Sequence, residues 1–100
     1  MNMDKINKIH SKINYPSYLN GTILSKDVVL SIANKHLNLI KYINSNINPY
    51  RNKSHESISN SLRSLDNCWR GVIYYANGGR SWDSCQGVNN PYLMGNATIK

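Results

Sequence analysis

Acidic side chains are scarce. Asp and Glu together number five in 100 residues, against twelve Lys and Arg. The five are Asp4, Asp27, Glu56, Asp66 and Asp83, with no two nearer than ten positions. Two-metal phosphoryl transfer and glycoside hydrolysis both need clustered carboxylates, so the sequence argues against either. Cysteine is limited to Cys68 and Cys85, and the three histidines are His10, His36 and His55. No CxxC or HxxxH spacing is present, so no metal site and no cofactor are expected. Asn77-Gly78-Gly79-Arg80 follows a helical pattern rather than a strand, and is therefore not read as a phosphate loop. Phe is absent. No apolar run approaches the length of a membrane span, and the amino-terminal stretch lacks the apolar region of a signal peptide. The expectation is a cytoplasmic chain with no membrane partner, its two cysteines reduced.

What is there is positive charge. The formal net charge is +7, which makes a polyanion or an acidic protein surface the natural partner. Sixteen Asn and eleven Ile are the residues that AT-rich coding DNA favours, an association that suggests a phage or mobile-element accessory protein. At 40% apolar content, 100 residues suffice for a single small domain with one core.

Three helices are predicted. The first covers about residues 4–13, where Met3, Ile6, Ile9 and Ile13 recur at helical spacing and Asp4 suits the first turn. Asn14-Tyr15-Pro16 ends it, because the residue before Pro avoids helical dihedrals. Residues 15–24 read as a linker with a turn at Asn20-Gly21. The second helix covers about 26–44, with Ser25 as N-cap. Val28, Val29, Ile32, His36, Leu39, Ile40 and Ile43 share one face, with Leu30 and Leu37 behind. A helix apolar on more than one side should lie between the other two. The third covers about 55–77, capped by Ser54 or Asn52. Its stripe is Ile58, Leu62, Leu65, Trp69, Val72, Ile73 and Ala76. It runs past Gly71, which costs about 1 kcal/mol relative to Ala. Beside the stripe, Ser61, Ser64, Cys68 and Gly71 form a seam of small residues that admits a close neighbour. Asn77-Gly78-Gly79 is expected to supply a left-handed residue at the helix end. Residues 80–100 read as an irregular arm anchored by Trp82 and Tyr92-Leu93-Met94, with a short strand as an option at 92–94. The fold expected is all-α, a compact three-helix bundle with an irregular C-terminal arm.

Opposite the apolar stripe of the third helix stand Asn60, Arg63, Asn67, Arg70 and Tyr74. They step by three and four residues and make one outward column about 20 Å long. Arg forks bind phosphate or guanine, Asn pairs with adenine, and Tyr stacks on bases. The competing reading is an ordinary solvated face with Asp66 paired to Arg63 or Arg70. Tyr50, Arg51 and Lys53 place an aromatic beside cations in the second connection, a combination that grips a backbone and stacks a base. Lys5, Lys8 and Lys12 line one edge of the first helix. Arg80 and Trp82 resemble a protein-interface anchor. His36, in the middle of an apolar face, reads as a core histidine with one satisfied hydrogen bond.

The function these residues suggest is stoichiometric binding without catalysis. The partner is a nucleic acid or a nucleoprotein machine, engaged through Asn60, Arg63, Asn67, Arg70, Tyr74, Tyr50, Arg51, Lys53, Arg80 and Trp82. A second reading is an inhibitor or adaptor docking on an acidic protein through Trp82 and the arm. A third is a small metal-independent nuclease or toxin that uses His36, His55 and Arg51.

Overall fold

Asn2 opens the first helix, its side-chain oxygen accepting the Lys5 N–H at 2.9 Å. The computed structural model of the chain describes residues 2–19, 22–77 and 98–99. Helix α1 runs Met3–His10 and buries Ile6. It stops three residues short of the expected end, because the chain tightens into three-residue turns. The Lys12 N–H reaches the Ile9 carbonyl and the Ile13 N–H the His10 carbonyl, each at 3.0 Å. Ile13 still enters the core.

The expected linker does more than connect. Pro16–Leu19 forms a 3₁₀ turn that buries both of its end residues. Their spacing of three matches the three-residue period of that turn. Ile23–Leu24 then forms strand β1, which pairs in parallel with β2, Thr98–Ile99, in the register Ile23 to Thr98 and Leu24 to Ile99. Residues 98–99 thus meet the linker, a pairing that the all-helical expectation did not include. The turn at Asn20-Gly21, the glycines at 78–79, Arg80, Trp82, Cys85 and the strand option at 92–94 lie outside the described residues.

Helix α2, Lys26–Asn44, begins at Ser25, whose Oγ accepts the Val28 N–H at 3.3 Å. Its buried residues are Val29, Ala33, His36, Ile40 and Ile43. The predicted face is therefore turned by part of a step. Val28 is 46% exposed, and Ala33, omitted from the prediction, is fully buried. Helix α2 packs mainly on α3 and also on α1. Helix α3, Lys53–Ala76, is capped by the Asn52 side chain, which accepts the Ser54 N–H at 2.9 Å. It passes Gly71 without a break and ends at Asn77, whose φ of −91° is not left-handed.

One apolar cluster joins Ile6, Ile13 and Leu19 to Val29, Ile40 and Ile43 of α2 and to Leu62, Leu65, Trp69 and Val72 of α3. Trp69 is its largest member and is fully buried. The indole N–H donates to the Asn14 carbonyl at 2.7 Å. Its ring stacks on His36 with centroids 4.1 Å apart and planes 18° from parallel. The His36 Nδ1–H donates to the Ile32 carbonyl at 2.9 Å, the single satisfied bond expected of a core histidine. The small-residue seam is an interface as well. Ser61 Oγ bonds His10 Nε2 at 3.0 Å, the Tyr15 hydroxyl donates to Ser64 Oγ at 3.2 Å, and Cys68 and Gly71 are buried.

Candidate functional site

Among the described residues, a long polar seam runs where α2 lies beside α3. The stripe of α3 faces the core, so Asn60, Arg63, Asn67, Arg70 and Tyr74 all emerge exposed on the opposite side. The column spans about 21 Å at 1.5 Å per residue. Asp66 sits beside it and accepts the Arg70 Nε–H at 2.8 Å. This one-turn pair holds the Arg70 fork in place. It contributes little stability, since exposed pairs are worth about 0–1 kcal/mol. Among the described residues Arg63 has no ion-pair partner.

Three depressions trace the seam. The first, about 410 Å³, is lined by Leu37, Asn38, Ile40, Lys41, Asn44 and Ser45 of α2 and its end, and by Asp66 and Arg70 of α3. The second, about 310 Å³, shares Asn44 and Asp66 with it and adds Ser59, Leu62 and Arg63. The third, about 280 Å³, shares Ser59 and Arg63 and adds Pro49, Tyr50, Glu56 and Asn60. The shared residues make one continuous groove. It carries three cations, Lys41, Arg63 and Arg70, against the carboxylates of Asp66 and Glu56.

The α2–α3 connection closes the groove at one end. The Arg51 and Asn52 N–H groups donate to the Asn48 carbonyl at 3.2 and 3.0 Å. The Asn48 N–H in turn donates to His55 Nδ1 at 2.9 Å. These bonds hold Tyr50 on an ordered turn with 97% of its surface exposed, next to the exposed Arg51 and Lys53.

The structure therefore gathers Asn60, Arg63, Arg70, Tyr50 and Lys41 along one groove. Asn67 and Tyr74 stand on the same α3 column, and Arg80 and Trp82 are outside the described residues. Sequence reasoning missed Asn38, Lys41, Asn44, Ser59 and Glu56 as groove residues. Asn38, Lys41 and Asn44 step by three along α2, a polar column that the helical wheel contains. Glu56 lies four residues before Asn60 and extends the α3 column by a turn.

The histidines do not share a site. His36 stacks on Trp69, whereas His55 lies fourteen residues before Trp69 on α3, about 21 Å along the axis. His55 is engaged in holding the Asn48 backbone. Partial burial raises the phenol pKa of Tyr18, whose ring centroid lies 6.3 Å from that of Trp69. Among the described residues no group of three or more His, Cys, Asp or Glu is placed to hold a metal ion, and no helix is long and apolar enough to cross a membrane. Compared with protein-family models, with curated proteins and with solved structures, the chain matches none of them.

Proposed function

We propose that the chain binds nucleic acid, alone or within a nucleoprotein assembly, stoichiometrically and without catalysis, and that the α2–α3 groove is its contact surface. The observation that carries this reading is the continuity of the groove. It runs from Lys41 and Arg70, past Arg63, to Tyr50, exposed on a hydrogen-bonded turn. Cations spaced along a channel match a phosphate backbone, and an exposed aromatic at its end matches a base. Asn38, Asn44 and Asn60 add side chains that both donate and accept, suited to sugar and base edges. The net charge of +7 draws a polyanion from a distance.

Arg63→Ala combined with Arg70→Ala tests this reading. Binding to labelled DNA and RNA oligonucleotides is measured by fluorescence anisotropy over a salt series. Each phosphate that is no longer neutralised should flatten the log–log salt slope by about 0.7 for a single strand or 0.9 for a duplex. Stability should stay within about 0.5–1 kcal/mol of the parent, since both side chains face solvent. Lys5→Ala with Lys8→Ala on α1 is the control and should change binding less. A double-arginine variant that binds every oligonucleotide like the parent refutes the groove as the contact surface. Docking onto an acidic protein then becomes the better reading.

A further inference from the structure

Resting on that reading, we propose that the cleft between the α2–α3 connection and α3 takes one unpaired guanine of a single strand. Tyr50 stacks on its ring, Glu56 accepts from its Watson–Crick edge, and Arg63 donates to its oxygen side.

The cleft holds about 280 Å³ and is lined by Pro49, Tyr50, Glu56, Ser59, Asn60 and Arg63. Its chemistry differs from that of the rest of the groove. A carboxylate facing the same space as Arg63 repels a phosphate, so the cleft suits a neutral group that offers both donors and acceptors. A base is such a group. Glu56, Asn60 and Arg63 fall at i, i+4 and i+7 of α3, so they stand in one row about 10 Å long. A base lying against Asn60 therefore has a carboxylate at one end and a guanidinium at the other. Guanine fits this polarity. Its ring N–H and exocyclic amine are adjacent donors for the two carboxylate oxygens. Its O6 and N7 are the acceptors that an Arg fork engages best. Thymine and uracil lack the amine.

Tyr50 supplies the stacking face. It is 97% exposed, yet its turn is fixed by the Asn48 hydrogen bonds and the adjoining Pro49. The backbone of the turn is ordered before binding, which lowers the cost of the contact, and the exposed phenol has only its own side-chain rotations left to settle. A base must be unstacked to enter, which selects single strands or loops over a duplex. Phosphates continuing along the groove meet Lys41 and Arg70, and Arg63 meets a phosphate only in strands that place no guanine in the cleft.

The experiment uses the full chain and fluorescence anisotropy. The probes are a thymidine oligomer, the same oligomer with one central guanine, and the latter annealed to its complement. The guanine oligomer should bind roughly tenfold tighter than plain thymidine, within the 1–3 kcal/mol range for a good base contact. Tyr50→Ala should weaken single-strand binding roughly tenfold with the salt slope unchanged, and Tyr50→Phe should restore it. Glu56→Gln should remove the guanine preference while leaving thymidine binding intact or improved. Equal binding of guanine and thymidine oligomers overturns the proposal, as does a Tyr50→Ala variant that binds like the parent. So does a duplex bound as tightly as the single strand. Lys41→Ala with Arg70→Ala separates the two readings. If it flattens the salt slope while the Tyr50 and Glu56 variants change nothing, the groove stands and the base cleft falls. If no oligonucleotide binds, both fall.

Discussion

Trp69 and His36 share the centre of the core, but their side chains answer to different demands. Trp69 is fully buried and has its one polar atom satisfied by the Asn14 carbonyl. Trp69→Ala should therefore cost about 3–5 kcal/mol, the range for removing a large core aromatic, measured by equilibrium urea unfolding. An unchanged midpoint would contradict its placement. His36 is 7% exposed, and among the described residues its Nε2 has no partner. Its Nδ1–H donates to a carbonyl that the helix ladder already uses, since Ile32 lies four residues earlier. An unpaired buried acceptor costs about 1–3 kcal/mol. His36→Phe keeps a ring against Trp69 and removes that acceptor. Its stability should equal the parent's or exceed it by about 1 kcal/mol in the same unfolding assay. A fall above about 2 kcal/mol would mean that Nε2 has a partner that holds the core together.

Helix α3 shows why some elements can be read from the chain and others cannot. Its stripe and its small-residue seam both follow from a single period, and all eleven positions are buried or half-buried. The cap at Ser25 follows from side-chain chemistry within three residues, whereas Ser54 and Asn52 are both open as caps of α3 and the structure selects Asn52. Where the deciding contacts are remote, local pattern fails. Ala33 is small and only weakly hydrophobic, but it lies in the α2 face that packs on its neighbours. Val28 is strongly apolar, but it sits in the first turn, on the solvent side. The β1–β2 pair has two residues per strand and joins distant parts of the chain, so no periodicity announces it. Gly71 is the element's most demanding position, because its burial in the seam offsets its poor helix propensity. Gly71→Val should destabilise by about 1–3 kcal/mol through overpacking, despite the better propensity of Val, as read from the shift in denaturation midpoint. A gain in stability would show that the seam has room to spare at this point.

At the scale of the whole molecule, charge decides what the groove can hold. The outward column of α3 was legible from spacing alone. Its completion by Asn38, Lys41 and Asn44 from α2 and by Tyr50 from the connection was not, because only tertiary packing brings those residues beside it. Packing also places Asp66 in both inner depressions, where it pairs with Arg70. If the groove carries a phosphate backbone, this carboxylate opposes binding in two ways. It repels the strand directly, and by taking the Arg70 Nε–H it partly neutralises the guanidinium. Asp66→Asn keeps the shape and removes both effects. Two unit charges about 4 Å apart interact by about 1 kcal/mol in water and about 4 kcal/mol at the effective dielectric of a protein surface. The Arg70 side chain is 68% exposed and that of Asp66 29%, so the lower part of that range applies. Affinity for an oligonucleotide should rise by roughly threefold to tenfold at low salt, with the gain fading as ionic strength shortens the Debye length. The salt slope should steepen by less than the roughly 0.7–0.9 of one new phosphate contact, because Arg70 already meets a phosphate and only loses the neutralising partner beside it. Stability should fall by no more than about 1 kcal/mol, since only an exposed ion pair is removed. Anisotropy titrations over a salt series, beside a urea melt, read all three. Weaker binding with unchanged stability would reverse the assignment. Asp66 would then be the residue that aims Arg70 at the strand, and the pair would act as one contact.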